Sequence, residues 1–247
     1  MDKRTQTRGI SYNNVIVTVV GLGVVVMLLT GLEAGDKKHE DLSRSQVADS
    51  IVTDFDGNVY TTVTIGTQVW TVENLKVTHY RDGSDIPYES DDTVWSTLTT
   101  GAYCWCNDDS STYKDTYGAL YNFRSVIDSR CLCPEGWHVP TESEWSALEA
   151  YLGGRNVAGG KVKETGTTHW TSPNIGATNE SGFSGLPGGG RGRICGCGEV
   201  GNYATWWSST ATDSANAWHW GLYHGNARVR CNPGHKASGF SVRCIKD

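Results

Sequence analysis

The chain has 247 residues and a formal net charge of −6. Ten tryptophans and eleven tyrosines stand against four phenylalanines, an aromatic content that excludes disorder for most of the chain. No basic stripe follows the first eight residues, so nucleic acid is not expected as a partner. Eight cysteines in a chain that begins with an apolar stretch indicate an oxidising compartment and a disulfide framework.

The N-terminal region has the features of an export element. Residues 15–32 carry no charge and follow a basic flank that ends at Arg8. A membrane-spanning helix needs about 20 apolar residues, whereas the core of a cleaved signal peptide has about 7–15. The run lies between these lengths, so we predict that residues 1–35 form an apolar helix that is a signal anchor or a cleaved signal peptide. A pilin-like leader cut after Arg8-Gly9 is a third interpretation.

The basic flank precedes the apolar run, which predicts that the bulk of the chain is outside the membrane. Residues 36–53 are charged and show no apolar period, so we expect a solvated linker there. A single domain is then expected over residues 54–247.

Three elements are predicted in the first part of this domain. Alternating apolar residues around Gly66-Thr67 predict a β-hairpin within residues 54–76. Apolar residues at positions i, i+3 and i+7 predict a short amphipathic helix over residues 117–128. Thr141 and Glu144 have the spacing of a capping box, which predicts a second helix that ends at Gly153-Gly154.

No helix is predicted beyond Gly159, where short strand-like pieces are interrupted by Gly, Asn, Ser and Pro. Core side chains for this irregular half are expected from Trp206, Trp207, Trp218 and Trp220. The order of elements therefore predicts an α+β fold with two short helices and a long irregular β-rich C-terminal half.

An ordered series of motifs resembles the Fibrobacter succinogenes major paralogous domain family. The motifs are Trp70–Leu75 (WTVENL), Tyr117-Gly118, Tyr121-Asn122, Cys133–Pro140 (CPEGWHVP), Glu144-Trp145, Gly182–Gly188 (GFSGLPG), Trp206–Thr210 (WWSST) and Gly239–Cys244 (GFSVRC), after the turn Asp56-Gly57-Asn58. The resemblance implies a C-type-lectin-like fold, similar to that of formylglycine-generating enzymes, and an exported protein. It implies no particular chemistry.

The cysteines of this chain exceed the family pattern, which needs only Cys133 and Cys244. The resemblance to lectin-like folds implies a bridge between these two. The additional cysteines are Cys104, Cys106, Cys131, Cys195, Cys197 and Cys231. Residues i and i+2 of a strand point to the same side, so the members of a C-x-C pair can meet different partners.

We expect all eight cysteines to form disulfides. Cys195 or Cys197 could join Cys231, and Cys104 or Cys106 could join Cys131. Zinc is the alternative, but its structural sites prefer a longer C-x2–4-C spacing.

The segment from residue 203 to residue 232 combines aromatic and adaptable polar residues, the composition of antibody binding loops. The candidate ligand-binding residues are His219, Trp220, Tyr223, His224, Asn226, Arg228, Arg230 and Asn232. The alternative is a solvated face over a tryptophan core. Some lectin-like exported proteins diversify this C-terminal region through retroelements, so the resemblance adds a hypervariable face as a further expectation.

Other motifs give weaker indications. An oxygen-rich patch is compatible with a calcium site, although a polar loop is the favoured interpretation. No other cofactor is expected. The patch consists of Asn107, Asp108, Asp109, Asp115 and Asn122. The glycine-rich residues 187–201 lack the context of a phosphate loop and are predicted to be a flexible connector. His138 lies within a family motif and is expected to be structural.

These observations favour a surface-anchored ligand-binding protein for adhesion or recognition, which is not an enzyme. Its expected ligand is an extracellular protein or a carbohydrate. One alternative is an oxidase of the formylglycine-generating type, whose copper site would need two thiols such as Cys231 and Cys244. The other alternative is a structural or pilin-like filament subunit.

Overall fold

The computed structural model describes residues 50–247 throughout and, before them, only the backbone of residues 11–12, 15–16, 18–20, 23–25 and 48–49. The chain divides into one unit at Met1–Arg44 and another at Ser45–Asp247. In the first unit, β1 (Ser11–Tyr12) pairs with β2 (Val15–Ile16), and β3 (Thr18–Val20) pairs with β4 (Gly23–Val25).

The apolar helix predicted within residues 1–35 is not seen where this segment is described, since β2, β3 and β4 lie within the apolar run. The rest of the segment lies outside the described residues, and its role in export stays a prediction. No helix in the described part of the chain has both the length and the apolar character that a membrane crossing requires.

The second unit mixes short helices with strands, which confirms the α+β class. Its strands are β5 (Ala48–Thr53), β6 (Val59–Ile65), β7 (Gln68–Thr71), β8 (Tyr103–Cys104), β9 (Leu120–Asn122), β10 (Trp137–His138), β11 (Gly190–Arg191), β12 (Cys197–Gly198), β13 (Tyr203–Ala211), β14 (Asn216–Tyr223), β15 (Arg230–His235), β16 (Gly239–Phe240) and β17 (Ile245–Lys246). Its α-helices are α1 (Asp92–Thr97), α2 (Ser110–Tyr117), α3 (Phe123–Val126), α4 (Glu142–Tyr151) and α5 (Ala158–Val162), with a 3-10 turn at Cys106–Asp108.

The strands form three antiparallel sheets in this unit. Their strand orders are β10-β17-β7-β6-β5, β12-β11-β16-β9-β8 and β13-β14-β15. The predicted hairpin is confirmed as β6–β7, with Ile65 opposite Gln68 across the turn. The last strand returns beside this hairpin, because Ile245 pairs with Trp70. The two ends of the second unit therefore close the same sheet.

Residues 48–53 differ from the prediction of a linker that extends to residue 53. They form the edge strand β5, in which Thr53 pairs with Val59 and Val52 with Tyr60. The turn to β6 is fixed by Asp54, whose carboxylate accepts hydrogen bonds from the Asn58 backbone N–H at 2.9 Å and from the Tyr60 hydroxyl at 2.6 Å. An edge strand exposes much of its side-chain surface, so it lacks the apolar period that the sequence criterion required.

The helix predicted over residues 117–128 is wrong in its first half. Leu120–Asn122 is the strand β9, and only Phe123–Val126 is helical. Residues 119–123 are all buried, a pattern of a strand covered on both faces, and Ile127 is 56 % exposed. The helix that begins after Thr141 is confirmed, with the capping box formed by Thr141 and Glu144.

The prediction of two short helices also missed α1, α2 and α5. Asp91 caps α1 and Asp109 caps α2, but neither helix has a strong apolar period. Helix α5 contains Gly159 and Gly160, which weaken helix formation, so its packing decides its structure.

Tryptophans fill the core, as expected from the sequence. One cluster of buried residues contains Trp145, Trp206 and Trp220, and another contains Trp207. Neighbouring residues of a strand point to opposite faces, so β13 sends Trp206 into the first cluster and Trp207 into the second. Trp218 is only half-buried, which corrects its prediction as a core residue.

The motifs of the sequence converge on the buried guanidinium of Arg243, which is 1 % exposed. It donates hydrogen bonds to Asn74 Oδ1 at 3.0 Å, to the carbonyl of Thr71 at 3.3 Å and to the carbonyls of Phe183 and Ser184. Burial lowers the pKa of Arg243 to about 9, so the group remains charged at neutral pH.

Asn74 extends this network, since its Oδ1 also accepts from Trp206 Nε1 at 2.8 Å and its Nδ2 donates to the Tyr117 carbonyl at 2.8 Å. Backbone carbonyls of Thr71 and of the loop at 182–188 are thus brought together with side chains of residue 74, strand β13 and the C-terminal segment. The motifs that carry the family resemblance build the fold here.

The cysteines form two bridges among the described residues. Cys133–Cys244 joins Cα atoms 5.9 Å apart and confirms the bridge that the resemblance implied. Cys106 is bonded to Cys197, with Cα atoms 5.3 Å apart, rather than to Cys131. The remaining cysteines are unbridged, contrary to the expectation that all eight pair, because the fold gives them no partner; they are Cys104, Cys131, Cys195 and Cys231.

Replacing Arg243 with Met should lower the free energy of unfolding by at least about 3 kcal/mol, because several buried carbonyl acceptors lose their donor at about 1–3 kcal/mol each. Urea unfolding followed by tryptophan fluorescence measures the change. The exposed Arg193→Met is the control and should stay within about 0.5 kcal/mol of the parent protein. A stable Arg243→Met variant would show that the network does not support the fold.

Removing the bridge with Cys133→Ser and Cys244→Ser should lower the unfolding free energy by about 4–5 kcal/mol, since the bridge closes a long loop in the unfolded chain. The sequence separation of 111 residues sets this magnitude. Urea unfolding of the oxidised proteins gives the value, with Cys195→Ser as a control at an exposed thiol. A double variant as stable as that control would contradict the expectation.

Candidate ligand-binding face

The eight candidate residues lie on β14, β15 and the turn between them, but they do not share one surface. Trp220 is 1 % exposed and its ring stacks on Trp145 with centroids 4.8 Å apart. Its prediction as a ligand-binding residue is corrected, because Trp220 packs into the core beside Leu222. The sequence showed an aromatic residue without showing which side of the strand was covered.

His219 is also part of the packing and not of an open surface. Its ring centroid lies 4.9 Å from that of Phe240 and 6.4 Å from that of Trp207. Burial lowers the pKa of His219 to about 4, so the imidazole is neutral at neutral pH. His219 therefore packs against these two aromatic side chains and is only partly accessible.

The outer end of the same sheet face is accessible. Tyr223 is half-buried and stacks on Tyr203, with ring centroids 4.7 Å apart and an angle of 30° between the planes. The Arg230 guanidinium lies 5.8 Å from the Tyr203 ring and 5.7 Å from the Tyr223 ring. Both distances are within the range of cation–π attraction. We call Tyr203, Tyr223 and Arg230 the tyrosine–arginine face.

Tyr203 was not among the predicted residues, although it began the segment of interest. Its role follows from strand register, since Tyr203 is directly opposite Tyr223 in the β13–β14 pair. Gly221 separates the accessible and the buried parts of this face, and it is opposite both Thr205 and Arg230. Without a side chain at Gly221, the long side chain of Arg230 can reach both tyrosines.

The turn that follows Tyr223 is anchored by a buried lysine. Lys163 is 0 % exposed, and its Nζ donates to the carbonyls of Tyr223 at 3.3 Å, Asn226 at 3.0 Å and Ile175 at 2.9 Å. Burial lowers the pKa of Lys163 to about 8, which leaves the ammonium form predominant at neutral pH. Three donors thus meet three acceptors. No signal in the sequence distinguished this lysine from a surface one.

Helix α5 fixes the next part of the turn. The backbone of Ala227 and Arg228 crosses this helix at Gly159, where an added Cβ would lie 2.6 Å from the Arg228 carbonyl oxygen. The Gly160 N–H donates to the Ala227 carbonyl at 3.1 Å. The glycines of α5 therefore permit a close approach that holds residues 223–228 in one conformation.

A cavity of about 320 Å³ opens beside this turn. We call it the edge cavity, because part of its wall is the edge strand β15. It is lined by Arg155, Asn226, Arg228, Val229, Arg230, Cys231 and Asn232. Four of the candidate residues, Asn226, Arg228, Arg230 and Asn232, thus come together here.

Tyr203 also lines a second cavity, of about 500 Å³. Its walls include Thr205, Phe240 and the hairpin formed by β11 and β12. This hairpin corrects the prediction of a flexible connector at residues 187–201. Cys197 ties it to Cys106, which fixes a segment whose glycines alone would leave it free.

The family model of the Fibrobacter succinogenes major domain matches residues 63–246. The chain belongs to the Fibrobacter succinogenes major domain family. The match contains the tyrosine–arginine face, the edge cavity and the Arg243 network in full. No curated protein and no solved structure matches the chain.

In this Fibrobacter succinogenes major domain, residues of the oxygen-rich patch make separate contacts within the fold. Asp109 caps α2, Asp115 pairs with Lys76 at 3.2 Å, and Asn122 caps α3. Asp108 contacts the hydroxyl of Tyr88. The described residues contain no group of three or more His, Cys, Asp or Glu side chains that could hold a metal ion.

His138 links the start of helix α4 to the C-terminal residue. Its Nε2 is 2.9 Å from Glu144 Oε1, and its Nδ1 is 2.6 Å from Asp247 Oδ1. Burial opposes protonation, but the hydrogen bonds to both carboxylates outweigh it and raise the pKa of His138. The contacts agree with the predicted structural role.

Lys163→Met should loosen the turn at residues 223–228, because three backbone carbonyls would lose their donor. We expect an unfolding free energy lower by about 2–4 kcal/mol and faster amide hydrogen exchange in the turn. The control is Lys161→Met, whose side chain is 32 % exposed and pairs with Glu180. Unchanged exchange in Lys163→Met would show that the lysine does not order the turn.

Proposed function

We propose that this chain is an exported, cell-surface-anchored ligand-binding protein, and not an enzyme, which recognises its ligand at the tyrosine–arginine face and the edge cavity. The observation that carries the proposal is the ordered turn between Tyr223 and Arg228. Lys163 and α5 bind the backbone of this turn, so its outward side chains are positioned before a ligand arrives. Preorganisation of this kind lowers the entropic cost of binding.

The chemistry of the face supports recognition. Tyrosine and arginine are enriched among residues that dominate binding energy, since each combines a large contact area with polar groups. Tyr203 and Tyr223 offer rigid rings, while Asn226 and Asn232 supply both hydrogen-bond donors and acceptors. The proposed ligand is an extracellular protein or a carbohydrate. A hypervariable C-terminal face would fit this turn, whose backbone is fixed independently of the exposed side chains.

The proposal places the domain outside the cell, with residues 1–35 as signal anchor or cleaved signal peptide. The Cys133–Cys244 and Cys106–Cys197 bridges support an oxidising compartment. The C-type-lectin-like fold belongs to this proposal as well. It is supported by the short helices, the irregular β-rich C-terminal half and the closure of the first sheet by the last strand.

An oxidase of the formylglycine-generating type receives less support. Its copper site would require free thiols at Cys231 and Cys244, but Cys244 is bridged to Cys133. Burial also raises the pKa of Cys231 to about 11, which suppresses the thiolate that binds copper. The filament alternative depends on residues 15–32 and gains no specific support from the described domain.

Tyr223→Ala should weaken ligand binding at least tenfold and lower the unfolding free energy by no more than about 1.5 kcal/mol, the scale of one aromatic pair. Trp220→Ala should instead destabilise the fold by about 3–5 kcal/mol, since it empties a buried ring site. The matched control is Tyr151→Ala, an exposed tyrosine on α4 that should change neither property.

The experiment begins with a screen of the oxidised full-length protein against glycans and extracellular proteins. Binding constants of the variants are then measured for each ligand found, beside their thermal unfolding. Absence of any ligand, or full affinity of Tyr223→Ala for every ligand found, would refute the proposal that this face binds.

A further inference from the structure

The edge cavity concentrates positive charge on a protein whose net charge is −6. Arg155, Arg228 and Arg230 line it, and no aspartate or glutamate is among the lining residues. Arg155 has an acidic neighbour, with its Nε 3.7 Å from Glu149 Oε1. Among the described residues, Arg228 and Arg230 have no carboxylate within ion-pair distance, in contrast to Arg130 and Arg191, which are paired.

Backbone hydrogen bonds fix the segment that carries Arg228 and Arg230. The Arg228 N–H donates to Asn226 Oδ1 at 2.9 Å, and the Val229 N–H donates to the Arg155 carbonyl at 2.8 Å. The second bond connects the two arginine-bearing segments around the opening, one with Arg155 and the other with Arg228 and Arg230. Since Lys163 and α5 fix the same turn, the cavity keeps its shape without a ligand.

We propose that the edge cavity binds the acidic group of a carboxylate- or sulfate-bearing saccharide. The inference rests on the proposed function and names the class of its ligand. Guanidinium groups offer paired N–H donors that match the oxygens of a carboxylate or sulfate group. They offer no acceptor, so the anion satisfies them while a neutral ligand leaves their charge unbalanced.

The remaining lining favours a saccharide over an acidic peptide. Asn232 supplies a donor and an acceptor, and Asn226, whose Oδ1 accepts from the Arg228 N–H, supplies amide donors; a sugar hydroxyl requires both kinds of partner. Val229 is buried, so the cavity offers little accessible apolar surface for a peptide side chain. The volume of about 320 Å³ accommodates a single sugar unit with its acidic substituent. The neighbouring Tyr203–Tyr223 pair would then contact the adjacent unit of the chain.

The test measures binding of the oxidised full-length protein to immobilised polygalacturonate, to its methyl ester and to dextran sulfate. The methyl ester has the same backbone without the charge. We expect binding to polygalacturonate or dextran sulfate that is at least tenfold tighter than to the ester, and the preferred polymer identifies carboxylate or sulfate as the source. Added salt should weaken binding of the acidic polymers, since exposed charges are screened.

The double variant Arg228→Gln, Arg230→Gln should lose at least tenfold in affinity for the acidic polymer and retain the thermal stability of the parent. Arg193→Gln removes an exposed arginine that does not line the cavity and should stay within twofold of the parent. An equal loss in both variants would show diffuse charge attraction and overturn the site. Binding of the methyl ester as tight as that of polygalacturonate would overturn the anionic assignment.

Two further outcomes separate this inference from the proposed function. If poly-L-glutamate binds as tightly as the acidic saccharides, the saccharide class is wrong. If the parent binds a neutral ligand in a Tyr223-dependent manner but binds no acidic polymer, the inference fails while the proposed function stands.

Discussion

The guanidinium of Arg243 is the contact on which the domain depends. A buried cation without a carboxylate needs hydrogen-bond acceptors on every N–H it presents, because leaving water costs several kcal/mol. Thr71 and Asn74 supply acceptors from the first hairpin, and Phe183 and Ser184 supply them from a loop more than a hundred residues later. The charge is satisfied only when these segments have met. The interaction thus couples the beginning, the middle and the end of the domain.

The same network explains why strand β13 can serve two cores. Trp206 is held from one side through Asn74, and Trp207 donates its indole N–H to the Tyr121 carbonyl at 2.8 Å on the other. Strands β13 and β14 are therefore covered on both faces along much of their length. Tyr203, Tyr223 and Arg230 lie at an end of the sheet that stays accessible. The proposed recognition surface lies at this end of the sheet.

A second buried cation, Lys163, stabilises the turn at residues 223–228. Lys163 donates hydrogen bonds to backbone carbonyls beside the tyrosine–arginine face. Arg243 does the same for the carbonyls of Thr71, Phe183 and Ser184. Both cations donate mainly to backbone carbonyls, and Arg243 donates to the Asn74 side chain as well. Such an arrangement fixes the path of the chain while the outward side chains remain free to differ. The proposed recognition of varied ligands is compatible with this division between a fixed backbone and replaceable side chains.

Local signals in the sequence were sufficient for several elements. The β6–β7 hairpin followed from alternation, the α4 start from the Thr141–Glu144 capping box, and the family from the spacing of its motifs. These features depend on residues within a few positions of each other, so the sequence by itself determines them. The split of residues 117–128 into β9 and α3 did not follow, because burial on both faces is a property of what packs against a segment.

The tertiary structure alone decided the site. Trp220 and Tyr223 are both aromatic residues of β14, yet Trp220 stacks in the core and Tyr223 lies at the surface. Which of them is buried depends on residues far away in the chain, such as Trp145, that pack against one side of the strand. Lys163 and Arg243 look like ordinary surface cations in the sequence. Cys106 found Cys197 only because β12 is folded beside the 3-10 turn. Pairing, burial and charge satisfaction at these positions depend on contacts between residues far apart in the chain, and a linear pattern does not record them.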